Sequence, residues 1–431
     1  MRVAGHLDPP AAVREIVARL EREGFESWCV GGAVRDALLG HAHLDWDLAT
    51  AATPQHVMRI FKRTVPVGVE FGTVGVLDSD NVMHEVTTFR RDVRTDGRHA
   101  EVEFGASLDD DLARRDFTIN AIAYHPKTEE LRDPFEGRLD LQRGLVRAVG
   151  NADARMREDR LRALRAIRFA SRFGFHIEPE TWSAIVASAP FLGRLSPERV
   201  KQELEKTMQQ VARPSIALEW WRSSGALAAL VPALASAPSD RFGALDHLPA
   251  AGADDEGGGK GATLNRLAML FFGESAQSAA DITKALRFSN ADASWIAQLA
   301  AARRDIGEAM DEAVVRGMPE SKQIRAWVAR IGRTRTSAFL ALTAALWRAR
   351  LAREPNAEVA ARLDPLAELA TQIAFRDPIE LADLAVDGED LLAAGVQAGP
   401  ALGKTLQRLL EAVIADPASN TRDHLLKLAS G

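Results

Sequence analysis

The 431-residue chain has one cysteine, Cys29, and one tyrosine, and aromatic residues make up only 6% of it. A single cysteine excludes an internal disulfide and any multi-cysteine zinc site, and it suits a reducing compartment. No apolar run reaches the roughly 18 residues a membrane-spanning helix needs. The N-terminus opens on charged residues and an amphipathic segment at 11–22 in place of a signal-peptide core. A cytoplasmic protein that makes no use of a membrane is therefore expected. Lysine is scarce, nine of the 54 basic residues, so positive charge is carried mainly by arginine, the better fork for phosphates and base edges. The net charge of -6 provides no global attraction for nucleic acid, so any basic surface must be local.

The 46% hydrophobic and 26% charged content belongs to an ordinary globular chain long enough for several domains. Residues 1–150 mix short strand-like and helix-like stretches. Strands are expected at 27–31, 44–49, 72–77, 83–89 and 119–124, with helices at 33–39 and 54–62 between them. From about residue 151 onward strand signals nearly vanish, and Ala/Leu-rich stretches of 3.6-residue periodicity take over. The fold class is α+β: a mixed head, then an elongated all-α remainder. The expected division is a head at 1–150, a helical neck at 151–215, a body at 216–300 and a tail at 301–431. Residues 250–262, rich in Gly, Asp and Ala, read as a flexible connection between helices. Residues 90–101, densely charged, read as a mobile surface loop.

The stretch Cys29-Val30-Gly31-Gly32-Ala33-Val34-Arg35-Asp36, followed by Asp45-Trp46-Asp47, reads as strand, tight turn, helix, strand. Asp45 and Asp47 would then share one strand face. Two carboxylates so placed suit hard Mg²⁺ ions, with positions left for a nucleotide's phosphates. The Gly31-Gly32 turn lets backbone N–H groups approach a phosphate, and Arg35 adds a charged clamp. Together these residues resemble the signature of the DNA polymerase β-type nucleotidyltransferases, in the branch that holds bacterial tRNA CCA-adding enzymes and poly(A) polymerases. Neither a Walker A loop nor a Rossmann fingerprint is present in the stretch.

The second motif, Arg114-Arg115-Asp116-Phe117-Thr118-Ile119-Asn120-Ala121, brings a guanidinium, a carboxylate and an amide to one junction. It matches the same family residue for residue, which implies that Arg115 contacts the triphosphate and that Asp116 and Asn120 support the site around the sugar. Asp133-Pro134-Phe135-Glu136-Gly137 resembles the third motif, except that Glu136 stands where the family usually has another glycine.

The pattern EDxxRxxRAxRF at 158–169 is built of strong helix formers. As one helix it would align Asp159, Arg162, Arg165 and Arg168 in a slowly turning stripe. Cytosine and adenine each present an amine donor beside a ring-nitrogen acceptor, so a carboxylate with a guanidinium can pair with either. Uracil and guanine reverse that order. The resemblance implies that Asp159 and Arg162 read the incoming base and that Arg165 and Arg168 bind nucleotide. Helix 197–210, carrying Glu198-Arg199 and Glu203, resembles a fifth motif that supports the fourth. Trp220-Trp221 read as core packing, and His41 with His43 as a loop feature. Gly399-Pro400 marks a fresh helix start in a tail that resembles the part of these enzymes set against tRNA.

The expected catalytic and metal-binding residues are therefore Asp45 and Asp47. The expected nucleotide-binding residues are Gly32, Arg35, Arg115, Asp116, Asn120, Asp159, Arg162, Arg165 and Arg168. The implied reaction is template-independent CCA addition to a tRNA 3′ end from CTP and ATP, with Mg²⁺. A poly(A) polymerase, a partial CC- or A-adding enzyme, or an RNA-binding protein with a retired site would share these motifs.

Overall fold

The computed structural model describes residues 7–41, 45–95, 100–250 and 258–430. They divide into two compact units, one of residues 1–203 with 219–232, the other of 204–218 with 233–431.

The first unit is built on a mixed seven-stranded sheet ordered β3-β4-β5-β2-β1-β8-β9. These strands are β1 (Ser27–Val30), β2 (Asp47–Thr50), β3 (Thr64–Gly68), β4 (Thr73–Leu77), β5 (Met83–Thr88), β8 (Ala123–Tyr124) and β9 (Leu131–Arg132). All four residues of β1 are buried, as a central strand covered on both faces requires. Helix α1 (Ala11–Arg22) buries Val13, Ile16, Val17 and Leu20, the i, i+3, i+4, i+7 stripe that its sequence pattern prescribes. One edge is β3, whose pairing with β4 is irregular between Val65 and Gly68 and which carries Pro66 at its middle. The other edge, β9, is two residues long.

Residues 90–101 depart from the expected loop. Within and beyond them β6 (Arg90–Thr95) pairs antiparallel with β7 (Ala100–Phe104), and an ion pair from Arg91 to Glu103 crosses the two strands. Residues 96–99 lie outside the described residues. The expected strand 119–124 also shortens: Thr118–Asn120 is a 3₁₀ turn and only Ala123–Tyr124 is strand. Helices α2 (Gly32–Leu38), α3 (Pro54–Ile60) and α4 (Leu108–Ala113) lie between the strands of the head in sequence. They are followed by α5 (Gly137–Arg143), α6 (Ala152–Glu158), α7 (Leu161–Phe173), α8 (Pro179–Ser188) and α9 (Pro197–Gln210). Trp221 is buried, and Trp220 meets Trp182 edge to face. Core packing therefore accounts for that pair.

The second unit is helical. Buried Arg266 donates to the carbonyls of Met208, Val211 and Leu248 at 2.7, 3.0 and 2.9 Å, tying three chain segments together. Its last core gathers Val386, Leu391, Leu409, Val413 and Leu425. Residues 251–257 are outside the described set, but 258–262 already belong to a helix, Gly258–Leu270, where a connection was expected. The strong helix formers after Gly261 extend the helix back over the glycines. Gly399 at φ 94° precedes a helix with Pro400 at its first turn, as the sequence indicated.

The third motif explains its own composition. Glu136 takes the left-handed conformation, φ 59°, where a side chain is strained and glycine is not. At Gly137 an added Cβ would lie 2.2 Å from the Thr118 carbonyl oxygen, so α5 can press on the 118–120 turn only without a side chain there. Glu136→Gly is expected to raise stability by about 1 kcal/mol, and Gly137→Ala to lower it by about 1–3 kcal/mol, both read by urea denaturation.

Candidate active site

Gly31 ends β1 at φ 78°, a conformation suited to glycine, and its amide begins the turn into α2. A Cβ on Gly31 would stand 2.9 Å from Arg115 Nη1 and 3.6 Å from Asp47 Oδ2. The glycine turn, the second-motif arginine and the strand carboxylate thus converge on one spot. The first-turn N–H groups of α2, beginning at Gly32, have no side-chain cap and no intrahelical acceptor, the arrangement that receives an anion.

Asp45 does not share a strand with Asp47. The β1–β2 ladder ends at Val30↔Asp47, because Gly31 turns away into α2 and leaves Asp45 no strand to pair with. Exposed Asp45 still lies close enough for its charge to act on Asp47. Burial, then the charges of Asp45 and Glu85, push the Asp47 carboxyl up to about 6, opposed by Arg115. Glu85 was missed from sequence. It reaches the site because Leu48 pairs with Val86 in the parallel β2–β5 ladder, which sets Glu85 alongside Asp47, and only a knowledge of that pairing could have singled it out.

Among the described residues no three His, Cys, Asp or Glu side chains form a ready-made metal cage. The donor set nevertheless fits a hard divalent cation: all-oxygen ligands, with negative charge crowded on the partly buried carboxylate of Asp47. His41 stacks on Phe173 at 6.5 Å, and His43 lies outside the described residues.

Arg115 is held by Asp111, Nη2 to Oδ2 at 3.2 Å, and keeps a fifth of its side chain exposed. Arg35, expected as a phosphate clamp, is instead 4% exposed. Its Nε donates to Asp36 at 2.7 Å and its Nη1 to Asn120 at 2.5 Å, while Phe169 and Phe173 lie against the guanidinium at 4.8 and 4.9 Å. Asn120 in turn donates to Asp116 at 2.8 Å, and Asp116 receives Arg165 Nε at 2.8 Å. At the other end Arg172 donates to Asp36 at 3.1 Å. One unbroken hydrogen-bonded chain, Arg172–Asp36–Arg35–Asn120–Asp116–Arg165, therefore joins the first, second and fourth motifs.

The fourth motif is not one helix. Asp159 breaks it at φ -146°, between α6 and α7, because its own carboxylate accepts the Leu161 N–H at 3.0 Å and competes with the helix backbone. The expected stripe of Asp159 with the three arginines therefore does not form. The other Asp159 oxygen accepts Arg199 Nη2 from α9 at 2.7 Å. Arg162 donates to Glu158 at 2.6 Å and to the carbonyls of Arg155 and Arg114 at 3.0 Å each. Both side chains are thus pinned by bonds from neighbouring segments. Arg168 is 3% exposed and pairs with Glu203 at 2.5 Å, far from presenting a free fork.

A mixed sheet bearing carboxylates beside a glycine turn, followed by helices, defines the nucleotidyltransferase class of head. Residues 27–147 match the family model "Poly A polymerase head domain". Residues 174–237 match "Probable RNA and SrmB-binding site of polymerase A", and 267–429 match tRNA nucleotidyltransferase domain 2. The chain is 34% identical over 425 residues to the CCA-adding enzyme of Latilactobacillus sakei, covering 96% of each. It belongs to the CCA-adding enzyme family. The match to the CCA-adding enzyme of Geobacillus thermodenitrificans is 47% identical over 195 residues and spans 45% of this chain and 48% of that relative. Across the first five curated relatives the matched portion is likewise about half of their length, 48%. The solved CCA-adding enzyme of Bacillus stearothermophilus in complex with CTP superposes with a TM-score of 0.75 at 29% identity, covering 97% of this chain and 96% of that one. The Thermotoga maritima CCA-adding enzyme complexed with tRNA shares the fold, with a TM-score of 0.63 at 21% identity. Among the described residues no helix is long and apolar enough to cross a membrane.

Burial alone would raise the Asp116 carboxyl, but Arg165, Asn120 and Arg162 hold it down to about 2. A carboxyl depressed on folding contributes stability that is present above its unfolded pKa and is lost as pH falls through the folded value. Asp116→Asn is therefore expected to cost about 2 kcal/mol at pH 7. The gap from wild type should close as pH drops from about 4 toward 2, as followed by denaturation at several pH values.

Proposed function

We propose that this chain extends RNA 3′ ends without a template, adding CCA to tRNA from CTP and ATP. The observation that carries the reading is the hydrogen-bonded chain from the Arg35 turn to Arg165. It ties the helix that begins at the glycine turn to the second motif and to α7, the helix that carries Arg162, which supports a reading in which chemistry and base choice act on the same nucleotide. The names of its relatives and their complexes with CTP, ATP and tRNA support the same substrates.

In this reading Asp45 and Asp47 would hold Mg²⁺, which would supply activation of the RNA 3′-hydroxyl and charge neutralisation at the phosphates. The Gly32 N–H and Arg115 hold the triphosphate. Asp159 accepts from the exocyclic amine of C or A while Arg162 donates to the ring nitrogen, and UTP and GTP present the wrong order. The hydroxyl attacks the α-phosphate, forming the new phosphodiester bond as the bond to pyrophosphate breaks. Arg35, Asp116, Asn120, Arg165 and Arg168 act as positioning residues, since they are engaged with one another, with Asp36 or with Glu203. Catalysis is then mostly alignment and charge neutralisation. Residues 1–150 carry the transfer, 151–215 the base choice, and the body (216–300) and tail (301–431) the grip on tRNA. The setting we assign is the cytoplasm, where uncharged tRNA is available and a lone cysteine stays reduced.

Purified protein offered tRNAs ending before CCA, after C and after CC, with each NTP separately, should add C, C and A in turn. Asp45→Ala with Asp47→Ala should abolish incorporation with helical content by circular dichroism unchanged; retained activity would sink the metal assignment. Arg199→Ala frees the Asp159 carboxylate from its anchor on α9. Discrimination of CTP over UTP should fall about tenfold, the worth of one lost orienting hydrogen bond to a charged group. Unaltered discrimination would remove Arg199 from base choice.

A further inference from the structure

Helix α4 ends just before Arg115, and two guanidiniums from later in the chain close that end. Arg155 of α6 donates through Nη1 to the Ala113 carbonyl at 3.1 Å. Arg162 of α7 donates through Nη2 to the Arg114 carbonyl at 3.0 Å. The last carbonyls of a helix have no intrahelical donor, and its dipole favours a cation beside them. The two arginines also share one carboxylate. Glu158 accepts Arg155 Nη2 on one oxygen and Arg162 Nη1 on the other, each at 2.6 Å. Arg162 Nη1 reaches the backbone carbonyl of Arg155 as well, at 3.0 Å. Arg155 therefore holds Arg162 through its own backbone and through Glu158, while its other guanidinium nitrogen holds α4.

The end of α4 in turn fixes Arg115. Asp111, 1% exposed, accepts Arg115 Nη2 at 3.2 Å and Arg114 Nε at 3.0 Å. The Arg115 N–H closes on the Leu112 carbonyl at 3.2 Å. A displacement of this helix end would thus carry Arg115 with it. At 18% exposure the Arg155 side chain makes its bonds largely out of water, where they count for more than those of a surface pair. We propose that Arg155 is a positioning residue that couples base choice to the grip on the triphosphate, by holding Arg162 and the α4 end that bears Arg115 on one fork. This rests on the reading of Arg162 as a base reader and of Arg115 as a triphosphate ligand, and adds a residue that acts through both.

The test uses the full chain, with CTP and UTP affinities read by isothermal titration calorimetry and inorganic tripolyphosphate as a probe that carries no base. Arg155→Met keeps the aliphatic stem and removes both donors. It should weaken tripolyphosphate binding about tenfold, the worth of one lost hydrogen bond to a charged group, and lower the preference for CTP over UTP about tenfold as well. In turnover, KM for CTP should rise by more than kcat falls, the signature of a lost ground-state contact. Arg155→Lys keeps the charge but has no fork to serve two partners at once, so it should leave the preference for CTP lowered. A lowered melting temperature with tripolyphosphate affinity and the CTP-to-UTP ratio unchanged would mark a purely structural role and overturn the proposal. A loss confined to one of the two readouts would overturn it too, because coupling requires both, as would full rescue by lysine. Because binding needs no turnover, a chain that shows both losses through Arg155→Met but transfers no nucleotide in its wild-type form would overturn the assigned activity and leave the coupling standing.

Discussion

The buried guanidinium of Arg35 is the interaction on which the first unit depends. A charge at 4% exposure is tolerable only if its hydrogen bonds are met and its desolvation is offset. Asp36 takes one edge of the fork, Asn120 another, and two phenylalanine rings of α7 cover the plane. A lysine could fill none of these roles together, since it has neither a flat face nor a fixed fork. The arrangement also costs heavily if broken, because removing one partner of such a pair leaves an uncompensated buried charge worth about 3–5 kcal/mol. The strand-to-helix turn of the head and helix α7 therefore cannot be altered independently.

That constraint explains why several residues that read as ligands are found engaged with one another. Arg35, Asp116, Asn120 and Arg168 carry the right chemistry for a nucleotide, and a linear string cannot tell a group that points at a substrate from one that holds its neighbour. The convergence of Gly31, Arg115 and Asp47 was legible, because the spacing of their motifs is specific. Glu85 and Arg199 act only after β5 has paired with β2 and after α9 has folded against the break at Asp159. Their contribution is written in topology, which spacing along the chain does not encode.

The architecture was legible for the same reasons. The switch from mixed pattern to helical periodicity near residue 151 is visible in composition, and the amphipathic stripe of α1 is visible in period. Local competition was not. Asp159 interrupts a run of strong helix formers because its side chain satisfies the next turn's N–H, an outcome that propensity summed over the run hides. The charged stretch after β5 folds as a ribbon held by more than its ladder, with Arg91 paired to Glu103 and Phe104 set against Gly72.

The sheet closes on two edges, and each is unsuited to further growth. On β3 the missing N–H of Pro66 and the irregular register from Val65 to Gly68 break the row of donors and acceptors that a passing strand would need. On β9 there are only two residues, and Arg132 is engaged with Asp109. Exposed Val65, Val67 and Phe71 beside the first edge would otherwise invite strand-to-strand association between copies. A proline and a kink in the ladder thus oppose strand-to-strand growth at an edge whose margin is apolar.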